Sequence, residues 1–184
     1  VVEDPCEADP VDLVMFCVKL WDTEEAAEAV KPLIDQGAAV VSFQNGVVKD
    51  DILTAALGKD AIMGGVGYIA STIAKPGLIS HTGSMQKLVF GEYDGSRSER
   101  VQRFCDVCLE AGIDAEISAD IRRAIWEKFV FLVGLSATTA AIRCPIGKVR
   151  SNPRSRHLLA EVMQEAVDVG IAEGVQIDPD FAQN

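Results

Sequence analysis

Lys128 is one cation set in a run that otherwise reads as a buried helix, Ala124-Ile125-Trp126-Glu127-Lys128-Phe129-Val130-Phe131-Leu132-Val133. A lysine in such a place either snorkels, with its stem packed and its head in water, or sits in a cleft. In a cleft, partial desolvation lowers the ammonium pKa and makes it a usable proton donor near neutral pH. Two more polar residues stand upstream at the ends of apolar runs. Val11-Asp12-Leu13-Val14-Met15-Phe16-Cys17-Val18-Lys19 closes on Lys19, and Val40-Val41-Ser42-Phe43-Gln44-Asn45-Gly46-Val47 stops at an Asn-Gly pair. As bare residues, Lys19 also reads as a solvated strand end, and Asn45 as a tight turn that tolerates positive φ.

The elements between these residues say how they are positioned. Residues 22–30 read as a helix with acids in its first turn, and Pro32 near its end still permits a last apolar turn. Strand, helix, strand with continuous apolar strands is a βαβ unit of a parallel sheet covered on both faces. In such sheets ligands sit outside the carboxyl ends of the strands, where Lys19 and Asn45 fall. A short helix over residues 50–57 is closed by Gly58, and a strand follows over residues 62–71. Its Gly64-Gly65-Val66-Gly67 leads into β-like residues rather than a helix, so it reads as a strand approached closely by a ligand or another backbone. Residues 78–83 and 87–91 read as two further strands punctuated around Gly83-Ser84, a meander that finishes the sheet antiparallel. A helix reaches Ala111-Gly112, and residues 115–118 form a last extended segment. From Asp120 the period is helical: one helix runs to about Ala141, and a second covers about 155–174 with Leu158, Leu159, Val162, Met163, Ala166, Val167 and Ile171 at helical spacing. The predicted domain boundary falls near Ser118.

Composition narrows the partners. With 48% hydrophobic and 24% charged residues the chain has the makings of a globular core. A formal charge of −11 without a basic stripe argues against nucleic acid or an anionic membrane as partner. The longest apolar run, residues 129–135, is far short of the ~20 residues that span a bilayer. The five cysteines form no disulfide framework. Cys105-Asp106-Val107-Cys108 matches C-x-x-C, but it lies mid-helix without a second pair or a spaced histidine, which favours core packing over metal binding. A reducing cytoplasm is the expected setting. No G-x-G-x-x-G follows a strand.

In order and spacing, nearly the whole chain resembles the ketopantoate reductase (2-dehydropantoate 2-reductase) family. Phe16-Cys17-Val18-Lys19 is similar to that family's strand-end lysine, and Phe43-Gln44-Asn45-Gly46-Val47 to its asparagine-glycine turn. Trp126-Glu127-Lys128-Phe129 resembles the segment with its catalytic lysine, and the stretch from Ala160 to Val175 resembles the next helix of its all-α domain. The resemblance implies an α/β fold: a partial Rossmann-type parallel sheet over residues 1–118 that binds NADP, then the start of a helical substrate and dimerisation domain over residues 119–184. The family's glycine-rich phosphate loop would precede Val1, and its later serine and glutamate would follow Asn184. Lys128 would protonate the substrate carbonyl as hydride arrives from NADPH. Asn45 would contact the nicotinamide ribose and help place the 2-keto acid, Lys19 would lie beside the cofactor, and Ala70 would bring backbone near the nicotinamide. The implied protein is a cytoplasmic homodimer without a metal.

The chain departs from the family pattern where asparagines grip the substrate. Four and eight residues after Lys128, on the same helical face, stand Leu132 and Ser136, and Ile146 occupies a third asparagine position before Gly147. Ser136 either orients substrate or bonds its own helix backbone. Leu132 and Ile146 favour a reductase acting on a more apolar 2-keto or 3-hydroxy acid. A non-catalytic remnant or interaction module of the same fold, and a flavodoxin-like binding domain, are the alternatives without this chemistry.

Overall fold

The computed structural model describes residues 2–183, and Val1 and Asn184 lie outside them. The chain divides into two compact units, Val1–Ile121 and Arg122–Asn184. The first unit carries a sheet of five strands: β1 (Leu13–Phe16), β2 (Ala39–Ser42), β3 (Ile62–Lys75), β4 (Leu78–Gly91) and β5 (Asp114–Ile117). They lie side by side in the order of the chain. β1, β2 and β3 are mutually parallel, β4 turns back antiparallel to β3, and β5 is parallel to β4. Helices α1 (Thr23–Asp35), α2 (Lys49–Leu57) and α3 (Glu99–Glu110) make the connections. This is the mostly parallel α/β sheet of the Rossmann type.

Adjacent residues of β2 show why the sheet is covered on both sides. Val40 joins Phe16, Ile62, Ala27 and Leu53 in a core under α1 and α2. Val41, pointing the other way, joins Met63 and Phe90 and the α3 residues Val101, Cys105 and Cys108. Each large side chain buried this way contributes about 1.5–3 kcal/mol. The glycines of β3 are packing devices. A Cβ on Gly65 would lie 2.7 Å from the Ser42 carbonyl, and one on Gly64 would lie 2.6 Å from the Ile121 side chain. The close neighbours expected from the glycine run are therefore protein groups.

Several expectations are corrected. β1 ends at Phe16, so Cys17 is exposed rather than inside a buried strand. Residues 78–83 and 87–91 are one strand, β4, because the punctuation at Gly83 (φ +76°) is absorbed in a ladder that carries register shifts. The antiparallel finish is present, since β4 runs against β3, and α3 then returns the chain to lay β5 parallel to β4, so that both oppose β1–β3. Cys105 and Cys108 are buried and free, as core packing requires, and burial raises both thiols above their ordinary value.

The second unit is helical: α4 (Ile121–Ile142), α5 (Ile146–Ser151) and α6 (Pro153–Ala172), with only Ile121, the first residue of α4, counted in the sheet unit. Glycines again let elements meet. A Cβ on Gly134 of α4 would lie 2.4 Å from Met163 of α6, and one on Gly170 would lie 2.8 Å from the Trp126 ring. Asn152 caps α6, its side chain accepting from the amides of Arg154 and Ser155. The short α5 was not among the elements expected from the sequence. By length and composition alone the 22-residue α4 is apolar enough to cross a membrane, contrary to the short run read from the sequence; glycine, serine, threonine and alanine prolong its uncharged stretch from Phe129 to Ile142. Core helices share that property, and Trp126 and Val130 on α4 are buried.

Candidate functional site

The parallel register of β1 and β2 sends both chains out of the sheet at the same edge. One more rung, from the Phe43 amide to the Phe16 carbonyl (3.1 Å), carries the pairing past the strand ends. Beyond it Lys19 and Asn45 are both exposed. Asn45 precedes Gly46, whose φ of +104° is open to glycine at little cost and lets the chain turn away toward α2. The side chain of Leu20 lies 3.9 Å from where a Gly46 Cβ would stand, so the two loops are in contact.

Beneath the loops runs a buried polar network. Gln44 Nε2 donates to the Val18 carbonyl (2.9 Å) and to Thr23 Oγ1 (2.8 Å), and Thr23 Oγ1 donates to the Leu20 carbonyl (2.7 Å). Ser42 Oγ donates to Gln44 Oε1 (3.0 Å) and accepts from the Gln44 amide (3.3 Å). Lys49 Nζ donates to the Ser42 carbonyl (2.8 Å) and to Asp50 Oδ2 (2.8 Å), which also accepts from the Tyr93 hydroxyl (2.5 Å). Lys49 is 1% exposed. Burial pulls its ammonium below the ordinary lysine value, against the opposing pull of the Asp50 carboxylate. Asp50 Oδ1 is buried without a hydrogen-bond partner among the described residues.

Sequence reasoning passed over Gln44 and Lys49. A signal for Lys49 was present: a cation in the first turn of a helix opposes the helix dipole, so a lysine opening α2 needs a partner that compensates it.

Ala70 lies on β3 within the register irregularity between Ile69 and Ser71, and its carbonyl accepts from Thr82 Oγ1 (3.4 Å). Gly64 is level with Ser42, so Ala70, six residues on, stands about 20 Å farther along the strand direction at ~3.3 Å per residue. Lys128 and Ser136 belong to the helical unit. Lys128 is half-buried, neither deep in the core nor fully in water. Ser136 is exposed and its hydroxyl makes no hydrogen bond among the described residues; Thr138 and Thr139 are the side chains that bond back to α4, at the Gly134 and Leu135 carbonyls. Leu132 and Ile146 are each half-buried.

A separate cleft of about 630 Å³ lies between α2 and the segment after β4, lined by Asp50, Asp51, Glu92, Tyr93 and Arg100 among others, and by none of the expected site residues. Arg100 grips both oxygens of Glu92 (2.7 and 2.6 Å) and donates to the Asp60 carbonyl (2.6 Å), which ties α3 to the turn before β3. Burial raises the Glu92 carboxyl, but hydrogen bonds from Arg100 and Ser98 outweigh it and hold the group below its ordinary value. No group of three or more histidine, cysteine or carboxylate side chains suited to a metal occurs among the described residues.

Comparison with known proteins agrees with this architecture. The profile described as Ketopantoate reductase PanE/ApbA matches residues 1–95, and its C-terminal counterpart matches residues 120–184. An uncharacterized oxidoreductase of Bacillus subtilis is 31% identical over 94% of this chain and 57% of its own length. The 2-dehydropantoate 2-reductase of Halobacterium salinarum is 31% identical over 96% of this chain and 58% of its own. Among solved structures, a 2-dehydropantoate 2-reductase from Geobacter metallireducens superposes with a TM-score of 0.89 at 26% identity, covering 99% of this chain and 61% of that one. The chain thus spans somewhat over half the length of the relatives it matches.

Proposed function

Because the chain belongs to the ketopantoate reductase PanE/ApbA family, we propose that it serves the NADPH-dependent reduction of a 2-keto acid, 2-dehydropantoate to pantoate in pantothenate biosynthesis. The observation that carries the reading is the pair of linked loops presenting Lys19 and Asn45 outside the carboxyl ends of β1 and β2, where α/β sheets take nucleotides. The donor set suits a dinucleotide. Lys19 supplies a cation for anionic groups, and Asn45 an amide that both donates and accepts. Residues 1–118 form the coenzyme-binding part, and residues 119–184 the substrate and dimerisation part of a cytoplasmic homodimer.

The nicotinamide supplies the hydride when bound. Lys128 Nζ stabilises the charge that builds on the substrate carbonyl oxygen and gives that oxygen its proton. Asn45 orients the nicotinamide ribose and the substrate, and Ser136, with its hydroxyl unspent on its own helix, holds a polar group of the substrate. Leu132 and Ile146 favour a second reading, a more apolar 2-keto acid, because a leucine cannot replace amide hydrogen bonds worth about 1–3 kcal/mol each when a partner is left unpaired.

The test follows NADPH consumption with 2-dehydropantoate and a panel of 2-keto acids, using the protein from the full reading frame and its Lys128→Ala variant. Turnover that falls by roughly 10²–10⁴-fold in the variant supports the proton-donor role. Turnover only with another keto acid moves the substrate and keeps the mechanism. No binding of NADPH or NADH refutes the reading in favour of a non-catalytic module.

A further inference from the structure

We propose that Gln44 and Lys49 are positioning residues: a buried brace that locks the β1 and β2 loops together so that Lys19 and Asn45 present one preformed surface to the coenzyme. The inference rests on the functional reading above.

Its basis is the topology of the network. Strand pairing between β1 and β2 ends with the rung at Phe43 and Phe16, and loops released from a sheet edge are ordinarily mobile. Here the Gln44 carboxamide spans from one loop to the other. It accepts from Ser42 on its own side and donates to Val18 and Thr23 across the gap. Val18 immediately precedes Lys19, and Gln44 immediately precedes Asn45. The brace therefore acts one peptide unit from each presented side chain. Lys49 anchors the other end, its ammonium held between the Ser42 carbonyl and Asp50. A lysine 1% exposed is an expensive way to satisfy a single carbonyl. Its worth lies in fixing the strand end from which Gln44 and Asn45 depart. Ser42, Gln44, Thr23 and Lys49 are all buried, so none is placed to touch a ligand directly. Fixing the loops beforehand removes an ordering cost that binding would otherwise carry.

Lys49→Met risks the fold itself, so the test uses Gln44→Met, which keeps side-chain length and removes the cross-loop donors. Leu53→Ala, in the core under α2, serves as a destabilised control. In the protein from the full reading frame, amide exchange at Lys19, Leu20, Asn45 and Gly46 should accelerate together in Gln44→Met and not in the control. The NADPH dissociation constant should rise about tenfold, the equivalent of one good hydrogen bond. Acceleration confined to one loop, or an unchanged dissociation constant in a wild type that binds NADPH, overturns the brace. A wild type that binds neither NADPH nor NADH refutes the functional reading, and the coenzyme role of the brace with it. Coupled exchange of the two loops in that case would still identify the brace as a structural device.

Discussion

Removing the Lys49 ammonium while leaving its partner is the sharpest perturbation of the first unit. In Lys49→Met the Asp50 carboxylate, with its side chain 6% exposed, keeps only the Tyr93 hydroxyl, and one of its oxygens is already unpartnered. Breaking a buried pair from one side costs about 3–5 kcal/mol, and the Ser42 carbonyl loses its donor for about 1 kcal/mol more. Burying the methionine side chain returns part of this, so a net loss of about 3–5 kcal/mol is expected. At a urea m-value of about 2 kcal/mol/M, the midpoint for the sheet unit falls by about 2 M. The double variant Lys49→Met/Asp50→Leu removes both charges, and Tyr93, 46% exposed, can turn to water. Replacing a whole buried pair with apolar side chains is often neutral, so the double variant should recover at least about 2 kcal/mol relative to the single. Circular dichroism at matched pH reads both midpoints. A single variant costing less than about 1 kcal/mol, or a double variant as damaged as the single, would refute the claim that an uncompensated carboxylate drives the loss.

Four further outcomes are expected. Gly65→Ala pushes a methyl group to 2.7 Å from the Ser42 carbonyl and should cost about 1–3 kcal/mol by overpacking, read from the same urea midpoints. The Glu92 carboxyl is depressed in the folded protein, so its contribution is present above the ordinary carboxylate value and is lost as pH falls through the depressed one; Glu92→Gln should flatten the acid limb of stability against pH. Lys49 is shifted the other way for a cation. Between its lowered folded pKa and the ordinary lysine value the unfolded chain holds more protons, so wild-type stability should rise with pH relative to Lys49→Met. Leu132→Asn should raise kcat/KM for 2-dehydropantoate about tenfold relative to an unhydroxylated branched 2-keto acid, measured by competing the two substrates.

Hydrophobic patterning carried much of the fold because its period is local. Val40 and Val41 announce a strand packed on both faces, and the helical spacing from Leu158 to Ile171 announces α6. What patterning could not resolve was continuity. Gly83-Ser84 has the composition of a turn, yet antiparallel pairing with β3 keeps β4 in one piece. The short α5 was hidden because six residues after a proline hold too little periodicity to register. At the candidate site, the chemistry-bearing residues were legible as types at strand ends: Lys19, the Asn45-Gly46 pair and Lys128. Gln44 was not, since burial of a polar side chain is a property of the packed sheet and a one-dimensional reading assigns such residues to water; Lys49 left only the weak mark of a cation opening a helix.

The strand order has a consequence for how the sheet unit is made. Strands that are neighbours in space are here also neighbours along the chain, so each pairing among the described strands closes over one connection. Among the described strands each pairing is therefore local for a mostly parallel sheet, and local pairing favours rapid folding. Growth can follow synthesis. Once β2 has left the ribosome it can pair with β1 across α1, β3 can add to that edge, and the hairpin to β4 needs only the turn at Pro76-Gly77. Each addition covers the edge left by the one before it, which shortens the time during which an open strand edge can recruit another chain.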